Sequence, residues 1–458
     1  MAHNAQISKT RPSFPDEVRH VLSLSVPVAL AELGWSSMNM VDTIMVGNLG
    51  ASAIGAIAIG GSAFYSFAVF GMGLLLGLDT LVAQAYGAGD RHDCHRSLAQ
   101  GIYIALLLTA PLMFLFALVP FAFRPAGLDE SVSTLAAQFI RHLSYSTLPL
   151  LLYGAFRRYL QATGHVRPIT FVLITANLVN WAFNWLLIEG HWGLPRLGVV
   201  GSALSTVFAR AYMAVSLGFF IWWFERNQHP GPSDIFRAFE RARVGMLLRI
   251  GFPAASQILL EISAFGTAAF LAGRLAPIAL AAHQIAISVA SLSYMIPLGI
   301  SSAAAVMVGH AVGARQPHTA RRRGFIAIGV GVVAALVAAA LFLAQPSAIL
   351  RIYTRDIAIL AIGVKLLALA AAFQLFDSVQ TVTTGALRGL GNTHTAMLIN
   401  LAGYWLLGLP FGWLLCFRYG YGVYGIWWGL TLALAVIASS LFFFWSRASA
   451  KPVLALSR

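Results

Sequence analysis

Long apolar segments alternate with short polar breaks along most of the chain. Each segment reaches the length of about 20 residues that an α-helix needs to cross a bilayer. Breaks marked by Pro, Gly and Arg divide the chain into twelve predicted spans. Their limits are 19–46, 53–83, 97–121, 132–158, 168–190, 198–224, 246–273, 278–309, 323–345, 357–386, 394–417 and 422–446. The pattern predicts an all-α integral membrane protein with twelve transmembrane helices, and the alternation typical of a membrane barrel is absent.

The composition agrees with this prediction. Hydrophobic residues make up 59% of the 458 residues and charged residues 10%, whereas soluble domains average about 25% charged residues. The net charge of +14 does not indicate a nucleic-acid partner, because the basic residues lie in the short breaks. Counted over those breaks, 21 Lys and Arg fall on one side of the membrane and six on the other. The positive-inside rule therefore predicts that both termini are cytoplasmic.

The chain contains an internal duplication. Gly47 and Gly273 are separated by the same interval as Gly87 and Gly313, and the two members of each pair lie in similar sequence. An even number of helices in each repeat gives two halves of the same orientation, related by an axis along the membrane normal. We predict two six-helix lobes, at residues 1–235 and 236–458, joined by a polar linker.

Two carboxylates lie inside predicted spans of the second half. Glu261 and Asp377 are both in apolar surroundings, where a charge costs at least about 2.5–3.5 kcal/mol. Burial disfavours the charged form, so that such acids bind a proton, sodium or an organic cation. Gln284 and Tyr294 are candidate neighbours, Tyr294 through a cation–π contact. The alternatives are ordinary packing for Tyr294 and a fixed ion pair for the acids, with Lys365 as a candidate partner of Asp377.

The first half has its own polar cluster. Asn180 and Asn184 are four residues apart on one helix face, and with Asp42 and Thr206 they supply oxygen ligands suited to sodium. The alternative is that the two amides only bridge neighbouring helices. Glu32, Asp79 and Arg210 are the further charged residues inside spans, and the sequence leaves open whether their roles are structural or functional.

Several functions are disfavoured. There is no GxxxxGK[ST] motif for ATP, and no HExxH, His/Asp or nucleophile arrangement for a membrane-embedded enzyme. The two cysteines, Cys94 and Cys416, predict neither a disulfide framework nor a metal site. A channel remains an alternative, but duplicated halves with separate buried acids favour alternating access.

Five motifs stand out along the chain: VDTIMVGNLG with Asp42, VAQAYGAG, LEISAF with Glu261, YMIP with Tyr294 and FQLFDSVQ…GALRGLG with Asp377. Together they resemble those of the multidrug and toxic compound extrusion (MATE) family, NorM-like branch. The resemblance runs through all twelve spans. It implies two lobes around a V-shaped central cavity and antiport of cationic drugs against sodium or protons.

By position, the resemblance assigns Glu261 and Asp377 to a cation and substrate site in the second lobe, with Tyr294 nearby. It assigns Asp42, Asn180, Asn184 and Thr206 to a site in the first lobe, with Tyr145 as a further member. We expect a monomer in the inner (cytoplasmic) membrane that needs no cofactor besides its coupling ion, Na⁺ or H⁺, and that exports cationic or zwitterionic drugs. A flippase for lipid-linked precursors is the alternative, but it would need a basic cavity.

Overall fold

The computed structural model describes residues 13–123, 125, 127–226 and 239–450, and this part of the chain is helical. The first half comprises α1 (Phe14–Val46), α2 (Ala51–Leu74), α3 (Gly77–Gly87), α4 (Arg91–Leu118), α5 (Pro120–Phe123), α6 (Glu130–Leu143), α7 (Thr147–Ala162), α8 (Arg167–Ile188) and α9 (Val199–Glu225). The second half comprises α10 (Arg241–Gly273), α11 (Pro277–Gly313), α12 (Pro317–Ala344), α13 (Pro346–Arg351), α14 (Ile357–Gly389), α15 (His394–Leu401), α16 (Leu409–Trp413) and α17 (Val423–Ala448).

Eleven helical segments in the described ranges are long and apolar enough to cross a membrane. They match eleven of the twelve predicted spans. The segment from His394 continues through two π-helical turns, Ala402–Gly408 and Leu414–Arg418. The fourth predicted span, 132–158, differs from the prediction because it consists of α6 and α7 with a break at Ser144–Ser146.

The break in the fourth span has a local cause. The hydroxyls of Ser144 and Ser146 donate hydrogen bonds to the carbonyls of Arg141 and Leu143, at 2.7 and 2.6 Å. Such bonds from a side chain to the preceding turn compete with the regular helical ladder. Hydropathy measures only how apolar the residues are and contains no information on these hydrogen bonds. The sequence pattern therefore predicted one continuous helix.

The hydrophobic side chains form two large cores, and two helices pass from one core to the other. Val21 and Leu24 near the start of α1 pack in the core of the second half, whereas Met38 further along packs in the core of the first half. The equivalent helix α10 does the reverse: Leu247 packs with the first half and Ala268 with the second. The starts of α1 and α10 thus connect the two halves. The predicted lobe boundary at 235/236 lies outside the described residues and stays a prediction.

The two halves meet along α3 and the end of α11, at the end of the bundle where the N-terminal part of α1 and many arginines lie. We call this end the basic end; its arginines include Arg91, Arg96, Arg243, Arg321, Arg322, Arg388 and Arg447. A Cβ added at Gly87 would lie 2.1 Å from the carbonyl oxygen of His310, and one added at Gly313 would lie 1.9 Å from that of Gln84. Only glycine permits such approaches, and the two contacts are related by the internal repeat.

Candidate functional site

The two acids of the second half lie within electrostatic range of each other. Glu261 on α10 and Asp377 on α14 are close enough for the charge of Glu261 to act on Asp377, whose side chain is 3% exposed. Gln380, one helical turn after Asp377, donates from Nε2 to Glu261 Oε2 at 3.4 Å. None of the ion pairs between described residues includes either carboxylate. Two adjacent acids without a resident cation favour the binding of an exchangeable one.

A hydrogen-bond network holds Gln380 in place. Its Nε2 also donates to Asn400 Oδ1 at 2.9 Å, and the Tyr404 hydroxyl donates to its Oε1 at 3.1 Å. All three side chains are fully or almost fully buried. The sequence analysis overlooked Asn400 and Tyr404, although they are four residues apart in an apolar segment. The same spacing had drawn attention to Asn180 and Asn184.

The other residues predicted near these acids divide into two groups. Tyr294 on α11 lies within electrostatic range of both Glu261 and Asp377. Gln284, one of the candidate neighbours, is exposed on α11. Lys365 is also exposed, and its Nζ lies 6.0 Å from the ring centre of Tyr424. The hypothesis that Lys365 pairs with Asp377 is therefore wrong.

The structure brings together four of the residues predicted for the first-half site. Asp42 Oδ1 accepts from Asn180 Nδ2 at 3.0 Å and from Asn184 Nδ2 at 2.7 Å, and Asp42 Oδ2 accepts from the Thr206 hydroxyl at 3.0 Å. Both amides are completely buried. The guanidinium of Arg210 on α9 also acts on Asp42 electrostatically. Three donors and a nearby arginine oppose the cost of burying this carboxylate.

Tyr145 is not part of this cluster. Its ring is 50% exposed and packs edge-on against His142, with 6.0 Å between the ring centres. The neighbouring Ser146 reaches the cluster instead, because its hydroxyl accepts from Arg210 Nη1 at 2.6 Å. Both residues lie in the break between α6 and α7, and Ser146 is the one of the two that contacts Arg210.

Two further acids are paired with arginines. Arg157 and Arg158 lie within α7, at the end of the fourth predicted span. Arg157 forms a short ion pair with Glu32. Arg158 and Arg388 both contact Asp79 Oδ2, at 3.4 Å each. Asp79 and Arg158 belong to the first half and Arg388 to the second, so that this triad crosses between the halves.

Hydrogen bonds to main-chain carbonyls join the halves beside the triad. The Thr80 hydroxyl donates to the carbonyl of Arg388 at 2.6 Å, and Gln84 Nε2 donates to that of Gly389 at 3.0 Å. In the opposite sense, His310 Nε2 bonds to the carbonyl of Ala162 at 2.7 Å. The two halves are therefore closed against each other at the basic end.

Among the described residues, no three His, Cys, Asp or Glu side chains come together in a way that could hold a metal ion. The predicted sodium sites would depend on amide, hydroxyl and tyrosine oxygens beside one or two carboxylates. In this structure both amides at Asp42 present NH₂ groups, so that sodium coordination there would require them to turn over. The binding of sodium at either cluster stays a prediction.

Comparison with known proteins identifies the kind of protein that this fold and these acids define. A family model described as MatE matches residues 27–186 and 253–414. The two matched segments begin at equivalent positions of the internal repeat. "Probable multidrug resistance protein NorM" of Geobacillus kaustophilus is 35% identical over 93% of this chain and 94% of its own. "Multidrug resistance protein NorM" of Burkholderia vietnamiensis is 33% identical over 96% of each chain.

The crystal structure of the eukaryotic MATE transporter AtDTX14 superposes with a TM-score of 0.84 at 22% identity, over 96% of this chain and 98% of that one. This similarity confirms the predicted membrane fold of twelve spans in two lobes. The chain belongs to the MatE family, whose members are transport proteins, and its curated relatives are NorM proteins.

Proposed function

We propose that the protein is a secondary multidrug efflux antiporter, which exports cationic or zwitterionic drugs in exchange for Na⁺ or H⁺. The curated relatives that cover almost the whole chain are named as multidrug resistance proteins, and the flippase alternative gains no support from them. The observation that carries the proposal is the contrast between the two acidic clusters. Asp42 has three donors and a nearby arginine, whereas Glu261 and Asp377 lie within electrostatic range of each other with one amide donor and no basic partner among the described residues.

The unpaired acids supply the exchange step. With both carboxylates ionised in a medium of low dielectric constant, their repulsion favours uptake of one positive charge. A proton, a sodium ion or the ammonium group of a drug each relieves the same repulsion, and occupancy by one disfavours occupancy by another. Mutual exclusion of this kind couples inward movement of the ion to outward movement of the drug.

Alternating access follows from the contacts between the lobes. We propose that the basic end faces the cytoplasm, with both termini there, in the inner membrane of the cell. The closed contacts at Asp79, Thr80 and Gln84 then seal the cytoplasmic side, so that in this state the ion and the drug must reach the site from the other side. Export requires that these contacts open and re-form. An ion drives the cycle only through different affinities for the two states.

Transport in proteoliposomes tests the proposal. We expect an imposed sodium or pH gradient to drive ethidium across the membrane in the direction opposite to the ion. The two gradients are applied separately to identify the ion. Glu261→Gln and Asp377→Asn should each abolish this movement while the protein remains folded. The exposed acid Asp129 caps α6 and provides the control, since Asp129→Asn should transport normally. Undiminished transport by both site variants, or transport that needs no ion gradient, would contradict the proposed mechanism.

A further inference from the structure

An open groove runs along the outside of the molecule where α1 meets α12. Phe14, Val18 and Leu22 form one wall, and the side of α12 from Phe325 to Val333 forms the other. Its volume is about 820 Å³, within the range of about 300–1,000 Å³ that is common for ligand sites. Several of these apolar side chains are more than 40% exposed. In a bilayer this surface faces the acyl chains of the lipids.

The internal repeat shows what fills the equivalent seam in the other half. There α10 meets α4, and Tyr103 on α4 packs edge-on against Phe239, with 5.8 Å between ring centres. Arg96 closes the seam through two hydrogen bonds to the Glu240 carboxylate, at 2.9 and 2.6 Å. The same stretch of α10 is fixed by an ion pair between Arg243 and Asp93. Aromatic rings and ion pairs thus occupy this seam.

Two differences between the repeats leave the groove between α1 and α12 open. Gly329 is the repeat equivalent of Tyr103, and a Cβ added at Gly329 would meet nothing within 4 Å. Phe14 is the repeat equivalent of Glu240, so that Arg322, the equivalent of Arg96, has no carboxylate at that position. Arg322 instead contacts Glu17 on the next turn at 3.0 Å. One seam is therefore sealed by its own side chains, and the other has space beside basic residues.

The charge at the groove is positive at one end only. The end of the groove that lies at the basic end of the bundle is lined by His318, Arg321 and Arg322. The rest of the lining is apolar. The guanidinium of Arg321 lies 5.7 Å from the ring centre of Phe325, inside the lining. A ligand that matches this pattern has an anionic head and an apolar tail. Basic pockets between transmembrane helices on the cytoplasmic side bind the head groups of anionic lipids.

We propose that this groove is a binding site for one anionic glycerophospholipid. Its phosphate lies between His318 and Arg321, and an acyl chain lies along Gly329 and Val333. The start of α1 packs in the core of the second half together with α12. The bound lipid therefore lies on that core, against the part of α1 that reaches across from the first half.

Lipid binding to the purified full-length protein tests this site. Native mass spectrometry would count phosphatidylglycerol and phosphatidylcholine molecules retained by the protein as each lipid is titrated. We expect one phosphatidylglycerol to bind with preference over phosphatidylcholine. Gly329→Tyr, which copies the filled seam, should abolish this binding event. Arg321→Gln should weaken it by roughly fivefold, as expected for the loss of one arginine near an anionic lipid.

Arg447→Gln is the matched control, because Arg447 also lies over an aromatic ring, that of Phe443, at the basic end but outside the groove. It should bind phosphatidylglycerol as the unaltered protein does. Equal binding of the two lipids, or undiminished binding by both Gly329→Tyr and Arg321→Gln, would overturn the proposal. Binding that appears only after deletion of residues 2–12 would also overturn it, since the chain's own N-terminal segment would then be the occupant. The surface variant Arg321→Gln keeps the test decisive if Gly329→Tyr does not fold.

Discussion

Ala83 and Gly309 pack directly against each other at the centre of the contact between the lobes. Each is the repeat equivalent of the other, so that the pseudo-two-fold axis passes between them. A Cβ added at Gly309 would lie 2.7 Å from the Cβ of Ala83, closer than two such atoms approach. The flanking contacts of Gly87 with His310 and of Gly313 with Gln84 repeat the relationship on either side.

We expect Gly309→Val to destabilise the state that is closed at the basic end. Overpacking typically costs about 1–3 kcal/mol, which corresponds to a change of roughly 5- to 150-fold in the ratio of closed to open states. Labelling of a cysteine introduced beside the contact, with a membrane-impermeant reagent applied to inside-out vesicles, would measure the change. Gly245→Val is the control, because a Cβ there would meet nothing within 4 Å. Equal labelling of both variants would contradict this account of the seal.

The triad of Asp79, Arg158 and Arg388 predicts unequal effects of its single substitutions. Asp79→Asn leaves two arginines close together without their shared carboxylate, and removing one partner of a buried ion pair costs about 3–5 kcal/mol. Arg388→Gln leaves Asp79 paired with Arg158 and should be milder. We expect transport and closure at the basic end to suffer more from Asp79→Asn. A greater loss from Arg388→Gln would show that the charge balance of the triad does not hold the lobes together.

The two acidic clusters should respond in opposite ways to neutralisation. Asp42→Asn replaces one of the two acceptor oxygens with an NH₂ donor, which faces a donor of the cluster, and removes the charge beside Arg210. We therefore expect thermal stability in detergent to fall by several degrees. Glu261→Gln removes a repulsive charge beside Asp377, and we expect stability to be kept or raised while transport is lost. Thermal unfolding followed by intrinsic fluorescence would distinguish the two. A large loss of stability for Glu261→Gln would indicate a structural role for that acid.

The hydroxyl of Tyr404 should tune the second-half site through Gln380. Tyr404→Phe removes one hydrogen bond, worth about 0.5–1.5 kcal/mol, and frees Gln380 to turn away from Glu261. We expect the concentration of coupling ion needed for half-maximal transport to change by roughly 2- to 13-fold. Tyr212→Phe is the matched control, because its hydroxyl bonds to Thr175 at 2.9 Å in the other half. An equal change in both variants would argue against a specific role for Tyr404.

The hydrophobic pattern by itself determined the membrane class and the positions of eleven spans, and similar sequence at a constant interval indicated the duplication into two halves. These properties are local, because the cost of placing a side chain in lipid depends on the residue and its near neighbours in the chain. The same reasoning found the buried acids Asp42, Glu261 and Asp377, each of which is conspicuous in an apolar run.

Only the tertiary structure decided which acids inside the spans are paired with arginines. Glu32 and Arg157 are distant in the chain, and Asp79 and Arg388 are more distant still; their contacts depend on which helices become neighbours, which no local pattern records. The same holds for the hydrogen bond of Arg210 to Ser146 rather than to Tyr145. The start of α1 packs in the core of the second half and the start of α10 in the core of the first. This arrangement, like the open groove beside Gly329, arises from packing between helices far apart in the sequence.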